Sequence, residues 1–279
     1  MNPALGDALS PAPLIDIHTH LDGFPDADVG RLLDEATMAG VGAVVTAGTT
    51  LDTSVRAVRL AAEHDSLFAS VGVHPTDLTG PLDEMTEQAL AALAESVRVV
   101  AISEVGLDFQ ERSPDRAIQY QAFRRQIGIA RELGLAIVFH SRDAPLETLQ
   151  VLREERGFEV GGAMHYFQYG AEVAREAMDL GFNISLARPL LRLPKLQELA
   201  AGLPLDRVVL ETDAYPQPFK RDSRQRTEPR HTWEVAAELA RLKDIPVDEV
   251  ARRTSVNALR MLGARGAALA ARMSASGTP

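Results

Sequence analysis

The sequence of 279 residues contains no cysteine, and aromatic side chains make up only 5% of it. The absence of cysteine excludes disulfide bonds, a thiol nucleophile and any zinc site built from thiolates. It is also compatible with a reducing compartment, and we expect the protein to act in the cytoplasm. No stretch approaches the roughly 20 consecutive apolar residues of a membrane-spanning helix, so we expect no membrane partner.

Basic residues are also fewer than acidic ones. The chain has 29 lysine and arginine residues against 39 aspartate and glutamate residues, which gives a formal net charge of −10 at pH 7. An acidic surface repels the phosphate backbone of a duplex, so extensive duplex binding is not expected. A small anionic substrate, or a single-stranded nucleic-acid end that is held locally, is compatible with this charge.

Eight short apolar runs, rich in valine, isoleucine, leucine and alanine, alternate with longer amphipathic segments. Such runs are typical of strands that are buried on both faces. They cover residues 14–21, 41–48, 67–73, 99–107, 135–140, 161–167, 181–186 and 208–213. The segments between and after them have apolar residues at three- and four-residue spacing, which predicts helices. These helices cover residues 30–39, 52–64, 82–95, 115–133, 144–155, 171–180, 195–201, 231–242 and 247–262.

A strand followed by a helix, repeated eight times, predicts a parallel sheet of the α/β class. Eight such units fit a closed (β/α)8 TIM barrel in a single domain over residues 14–263. Residues 1–13 are expected to form a flexible lead-in and residues 264–279 a frayed tail. A doubly wound sheet is the alternative, although no GxGxxG motif follows the first run.

Polar side chains lie at the carboxyl ends of these runs, where barrel enzymes place their active sites. His18 and His20 end the first run. Residues two apart on a strand point to the same side, so both imidazoles are expected to face the barrel interior and could share one cation. An HxH pair by itself is a weak signal, and its meaning depends on what the other runs supply.

The other runs supply further imidazoles and carboxylates in apolar surroundings, namely Glu104, His140, His165 and Asp213. A buried carboxylate costs several kcal/mol unless it is paired or bound to a metal. Few cations are available to pair with these acids, because the chain has only three lysines, none of them in the first six runs, and Arg142 could satisfy one carboxylate but not both. Together with His18 and His20, these side chains predict a metal centre.

Imidazole and carboxylate ligands suit zinc, manganese or a similar divalent ion. A catalytic zinc keeps one coordination position open for water, so six protein ligands exceed what one ion takes. Two ions bridged by Glu104 are the simplest arrangement. Magnesium suits either position if carboxylates and water dominate there.

Other residues near the predicted mouth of the barrel could contact a substrate or support the ligands. His74 and Arg142 could contact substrate, although a histidine that only caps a loop fits His74 equally well. Asp108 could orient a ligand histidine, or could simply form a turn. An excess of basic residues follows the eighth run and could hold a phosphate or be a solvated loop; the candidates there are Lys220 and Arg221, with Arg188 after the seventh run.

These motifs together resemble the TatD-type hydrolases of the amidohydrolase superfamily. The resemblance covers nearly the whole chain, from Ile15 to Leu262. It rests on the order and spacing of short motifs at residues 16–22 (DIHTHLD), 72–75 (GVHP), 104–109 (EVGLDF), 140–142 (HSR), 165–167 (HYF), 211–213 (ETD) and 257–258 (NA).

The resemblance implies a metal-dependent phosphoesterase, often a deoxyribonuclease that trims ends. It also implies that His18, His20, Glu104, His140, His165 and Asp213 are metal ligands and that His74 contacts the substrate phosphate. The chain departs from the family pattern at Ser103, at residues 166–170 and at residues 214–219. These positions lie around the expected pocket, so they bear on the substrate more than on the chemistry.

The expected mechanism is hydrolysis by a water molecule that the bound metal activates, with Asp213 as general base and Glu104 as the bridging ligand. No GxSxG motif is present, which disfavours a serine nucleophile. The same metal site could serve an amidase, a lactonase or an aminoacyl-ester hydrolase, because a barrel does not choose between phosphorus and carbon electrophiles. A barrel that binds metal without catalysis is the third alternative.

Overall fold

Every predicted strand is found, and the strands are hydrogen-bonded to one another in chain order. The computed structural model describes residues 13–220 and 225–275. All seven neighbouring pairs of strands are parallel. The strands are β1 (Leu14–Thr19), β2 (Val41–Ala47), β3 (Leu67–Val71), β4 (Val99–Asp108), β5 (Ala136–Arg142), β6 (Gly162–Met164), β7 (Asn183–Leu186) and β8 (Val208–Leu210).

The segment after β8 brings the last strand back to the first. The backbone N–H of Asp213 donates to His18 O at 3.0 Å, and that of His20 donates to Ala214 O at 2.7 Å. Ala214 also forms a parallel bridge with Thr19. The sheet is therefore a nearly closed (β/α)8 TIM barrel, as predicted.

Each predicted helix has a counterpart. The helices are α1 (Asp26–Met38), α2 (Leu51–Glu63), α3 (Glu84–Ala94), α4 (Arg116–Leu133), α5 (Pro145–Glu154), α6 (Ala171–Asp179), α7 (Pro194–Gly202), α8 (Thr232–Lys243), α9 (Val247–Met261) and α10 (Gly263–Ala275). Local signals set several bounds, as where Asp83 accepts the backbone N–H of Thr86 at the start of α3 and Gly134 takes the left-handed conformation that ends α4. Within the described residues no helix is both long enough and apolar enough to cross a bilayer.

The apolar core divides into two clusters that follow the alternation of the strands. The larger cluster lies between the sheet and the surrounding helices. The smaller one fills the barrel with inward-facing residues such as Ile15, Val45 and Phe68, together with residues of α9 and α10. The last two helices therefore close the end of the barrel at which the strands begin, and the opposite end stays open for the site.

The frayed tail predicted for residues 264–279 is wrong over its described part, because residues 264–275 belong to helix α10. The segment is rich in alanine, which is the strongest helix former. Leu269 is fully buried in the barrel cluster, and Arg265 Nη1 donates to Ser96 O at 2.9 Å. Residues 276–279, and residues 1–12 of the predicted lead-in, lie outside the described residues.

Candidate metal centre

The buried carboxylate of Glu104, on β4, lies at the centre of a group of histidines at the open end of the barrel. Its two oxygens face different histidines. Oε2 lies 3.5 Å from Nε2 of His18 and 3.4 Å from Nε2 of His20. Oε1 lies 2.8 Å from Nδ1 of His140 and 3.3 Å from Nε2 of His165. One carboxylate therefore separates two pairs of imidazoles, which is the arrangement expected of a bridging ligand.

All six predicted ligands are brought together here from five segments of the barrel. His18 is on β1, and His20 follows that strand directly; Glu104 and His140 are on β4 and β5. His165 and Asp213 follow β6 and β8. Asp213 adopts the left-handed conformation, with φ of 54°, and its Oδ1 lies 3.4 Å from Nε2 of His20. A non-glycine residue held in that conformation is frequent at functional sites.

The spacing of the donor atoms fits a bound divalent cation. Nε2 of His18 lies 3.3 Å from Nε2 of His20, and both nitrogens lie within 3.5 Å of Glu104 Oε2. Tetrahedral ligands at about 2.1 Å from a shared ion are roughly 3.4 Å apart. His18, His20 and Asp213 form one compact ligand group, and His18, Glu104 and His165 form another. The residues present therefore fit a metal centre.

In His18 and His20, the ring nitrogen that points away from Glu104 contacts another protein group. His20 Nδ1 lies 3.0 Å from Ala47 O, which can only accept a hydrogen bond, so Nδ1 carries a proton and Nε2 is the nitrogen that would offer its lone pair to a cation once the ring is neutral. His18 Nδ1 lies 3.3 Å from Ser103 Oγ. Protein groups of this kind fix the ring orientation and tautomer of metal-binding histidines.

Carboxylates lie beside the ring nitrogens of His140 and His165 that point away from the cavity. His140 Nε2 lies 3.0 Å from Asp108 Oδ2, and Asp108 is itself fixed because its Oδ1 accepts from Ser113 Oγ at 2.6 Å. His165 Nδ1 lies 3.0 Å from Glu211 Oε1. The contact predicted between Asp108 and a ligand histidine is therefore present.

Electrostatic coupling within the cluster is strong. Burial alone would raise the pKa of Glu104, but electrostatic interaction with the nearby His74 and His165 outweighs burial and holds this pKa well below its ordinary value. Burial lowers the pKa of His20 and His165, yet hydrogen bonds and charge from the neighbouring carboxylates reverse this and raise both well above 6.5. Burial and the charge of His165 lower the pKa of His18. The carboxylate is thus ionised and the cluster holds protons that a cation would displace.

His74 faces the same carboxylate, with Nε2 at 3.3 Å from Glu104 Oε1. Its Nδ1 accepts the backbone N–H of Thr76 at 3.1 Å. Because Nδ1 accepts this hydrogen bond, Nε2 is the ring nitrogen that faces the site. His74 therefore caps the turn at residues 75–77 and also lines the cavity, and its contact with substrate stays a prediction.

A cavity of about 740 Å³ opens above the cluster and is lined by His20, Glu104, His140, His165 and Asp213, with His74 at its side. Arg142 also lines it and is half exposed, with Nη1 at 3.9 Å from Asp108 Oδ2. The cavity is large enough for a nucleotide-sized ligand.

Two of the basic residues predicted to hold phosphate, Arg188 and Lys220, are not brought to this cavity. Arg188 donates to Thr227 Oγ1 at 3.2 Å and pairs with Glu234 Oε2 at 3.2 Å. Lys220 Nζ donates to Gln225 O at 2.9 Å within its own loop. Neither lines the cavity, because loop and helix acceptors hold both side chains elsewhere. Arg221 lies outside the described residues.

Sequence reasoning gave no role to two buried acids next to the ligands. Glu211 accepts from Ser185 Oγ at 2.6 Å and from the backbone N–H of Tyr166 at 2.7 Å, in addition to facing His165. Asp16 accepts from Thr212 Oγ1 at 2.5 Å and Thr232 Oγ1 at 3.1 Å, which ties β1 to the segment after β8. The argument that a buried carboxylate needs a partner was applied to Asp213 and applies equally to these two.

Comparison with known proteins gives a consistent result. The profile of the family described as TatD related DNase matches residues 15–263. A Bacillus subtilis protein named uncharacterized metal-dependent hydrolase YabD is 36% identical over 257 residues, which cover 89% of this chain and 98% of that protein. A Citrobacter koseri protein named 3'-5' ssDNA/RNA exonuclease TatD is 32% identical, with 85% and 93% covered. The crystal structure of YJJV, a TatD homolog from Escherichia coli K12, superposes with a TM-score of 0.79 at 27% identity, covering 90% of this chain and 98% of that one.

Proposed function

The chain belongs to the TatD-related DNase family of metal-dependent hydrolases, and from this premise we propose that it is an exonuclease that hydrolyses phosphodiester bonds at single-stranded nucleic-acid ends. The observation that carries the proposal is the position of Glu104 between two pairs of histidines. The name of the Citrobacter koseri relative supports the choice of a single-stranded end.

We propose two divalent ions, of zinc, manganese or magnesium. His18, His20 and Asp213 would hold one ion, and His140 and His165 would hold the other, with Glu104 shared between them. Such ions supply Lewis-acid chemistry, because they lower the pKa of water and stabilise negative charge on phosphoryl oxygens.

Asp213 is the proposed general base. Burial raises its pKa, but the hydrogen bond from His20 and the charge of His165 outweigh burial and lower it, so the carboxylate is ionised at neutral pH. It lines the cavity and could take a proton from the attacking water and pass it to the leaving oxygen. His74 Nε2–H and Arg142 would hold a phosphate oxygen.

The test is a substrate panel with Mn²⁺, Mg²⁺ or Zn²⁺ added to the purified chain. We expect stepwise shortening of 5′-labelled single-stranded DNA or RNA from the 3′ end, much slower cleavage of blunt duplex, and loss of activity with a chelator. The Glu104→Gln variant should lose activity and bound metal together, whereas Glu159→Gln, on the surface, should lose neither.

Two outcomes contradict the proposal and favour the alternatives. Turnover that is confined to acyl esters, lactones or amides would identify a hydrolase of carbon electrophiles. Full metal loading, measured by elemental analysis, without turnover of any substrate would identify a binding protein.

A further inference from the structure

The cavity contains little positive charge with which to hold a nucleic acid. Among its described lining residues Arg142 is the only lysine or arginine, whereas Asp22, Asp77 and Asp143 add negative charge outside the metal cluster. Beyond the metal cluster, contacts to phosphate therefore provide limited attraction for a strand. Uncharged groups must therefore supply the attraction that holds the rest of the substrate.

Aromatic side chains on one side of the cavity could supply this attraction. Tyr166 and Tyr215 line it from the segments that follow β6 and β8. Tyr215 is 40% exposed, and the ring of Tyr166 lies 5.7 Å from the ring of His165. Both rings thus lie beside the cluster and face the space that a substrate would occupy.

The backbone under Tyr166 is held in a conformation that a tyrosine seldom adopts. Its φ is 47°, in the left-handed region, where a residue with a Cβ is disfavoured. Glu211 Oε1 accepts the backbone N–H of Tyr166 at 2.7 Å and holds this conformation. A strained backbone that is fixed by a buried carboxylate indicates a side chain whose placement matters.

Tyr215 follows a backbone segment that is hydrogen-bonded to β1. It follows Ala214, which pairs with Thr19 and accepts the N–H of His20, and Asp213 before it is also left-handed. Burial and the nearby Asp213 and Glu211 carboxylates raise the pKa of the Tyr166 phenol, which stays neutral. Two uncharged, positioned rings beside a phosphodiester site are suited to stacking with nucleobases.

We infer that Tyr166 and Tyr215 form an aromatic surface on which the 3′-terminal base of a single-stranded substrate stacks, while its phosphodiester lies at Glu104 and Asp213. The inference rests on the proposed function. Stacking on a ring accepts any base, and it requires a base that is not stacked within a duplex. The two tyrosines would therefore set a preference for single strands without a preference for sequence.

The experiment compares a 5′-labelled oligonucleotide that has a normal 3′-terminal nucleotide with the same oligonucleotide ending in an abasic tetrahydrofuran residue. We expect the wild-type kcat/KM to be about tenfold or more higher for the normal end. Tyr166→Leu and Tyr215→Leu should each reduce this ratio, mainly through KM, and the double variant should bring it close to one. Tyr166→Phe and Tyr215→Phe retain the rings and should retain the ratio.

Phe158→Leu is the matched control, because it removes an exposed aromatic ring outside the cavity and should leave the ratio unchanged. Metal content and the thermal midpoint of each variant check that it is folded. A wild-type ratio near one, or a full ratio in the double leucine variant, overturns the inference while exonuclease activity persists. Absence of any cleavage of single-stranded nucleic acid overturns the proposed function as well.

Discussion

At the scale of single residues, the site is defined by what each imidazole nitrogen faces. One nitrogen of each proposed ligand histidine faces Glu104, and the other faces a protein oxygen, as with His20 and Ala47 O or His140 and Asp108. The inner nitrogens of four histidines thus converge on one carboxylate, which a core histidine does not require. The repeated use of two opposed partners favours a ligand role, because the outer partner leaves the inner lone pair directed at a cation.

The outer partners should therefore affect metal affinity without touching the metal. Asp108→Asn replaces the carboxylate that faces His140 Nε2 with a neutral amide of the same shape. We expect the dissociation constant for Mn²⁺ to rise about 10- to 100-fold, because the imidazole becomes less basic and less well oriented. Isothermal titration measures this. Asp244→Asn, at the left-handed end of α8 where asparagine is equally favourable, is the control. An unchanged dissociation constant for Mn²⁺ in Asp108→Asn would show that Asp108 only stabilises the turn that follows β4.

Metal binding should also release protons. Without metal, neighbouring carboxylates raise the pKa of His20 and His165 well above 6.5, so both rings are protonated at pH 7. A cation binds only the neutral rings, so its apparent affinity should rise with pH and fall as pH decreases, by about tenfold or more per pH unit below these pKa values. Titrations in two buffers of different protonation enthalpy count the protons released.

His64→Gln provides the comparison for that count, because it removes a histidine at the end of α2, outside the cluster. The number of released protons should stay the same in this variant. Binding of Mn²⁺ with no proton release at pH 7 would contradict the charge state assigned to the two ligand histidines.

The proposed ligands could be selected from the sequence because metal chemistry favours histidine and carboxylate at strand ends, and the structure brings all six together. The supporting residues could not be selected in this way. Glu211 acts through His165 and through the backbone of Tyr166, and no spacing rule connects residues 45 positions apart. Arg188 shows the opposite case. Its position after β7 suggested a substrate contact, but its side chain pairs with Glu234 outside the cavity.

At the scale of elements, the alternation of apolar runs and amphipathic segments was sufficient to predict all eight strands and helices α1 to α9, but not α10. The bounds differ by up to four residues, as at α1, which begins at Asp26 directly after Pro25 rather than at residue 30. Periodicity does not show where two strands approach unusually closely. Such close approaches are marked by single glycines, because a side chain would not fit there.

Gly106, on β4, is such a position. Its φ is 148°, and an added Cβ would lie 1.9 Å from His140 O on β5. Gly106→Ala should therefore push apart the two strands that carry Glu104 and His140. We expect the free energy of unfolding to fall by about 3 kcal/mol or more, since both backbone strain and a main-chain clash are introduced. Urea denaturation measures the change.

Gly128→Ala is the matched control on helix α4, where nothing lies within 4 Å of the added methyl group. The same substitution there should raise stability by about 0.5–1 kcal/mol, because alanine is the better helix former. If both variants were equally stable, the close approach of β4 and β5 would not limit the fold.

At the scale of the whole molecule, the barrel has two ends with different tasks. The carboxyl ends of the strands carry the ligands, the cavity and Asp213. The other end is closed by α9 and α10, whose buried residues Ala258, Met261 and Leu269 belong to the barrel cluster. A tail was predicted for residues 264–279 because they lose apolar periodicity and gain serine and glycine, and the pattern does not show that α10 packs against the barrel floor through Leu269.

This division predicts that stability and activity can be changed separately. Leu269→Ala removes a fully buried side chain from the floor of the barrel, far along the strands from the ligands. We expect a loss of about 2–5 kcal/mol in the free energy of unfolding, through lost burial and the cavity that remains. At a temperature where the variant is folded, its kcat/KM should equal that of the wild type.

Asp213→Asn should show the opposite pattern. Its kcat should fall by about 100-fold or more, because the substitution removes the proposed general base. The unfolding midpoint of the metal-free protein should stay nearly unchanged, because the position is partly exposed. A loss of kcat in folded Leu269→Ala would mean that α10 transmits strain through the strands to the ligands, and the two ends would then have to be treated as one coupled unit.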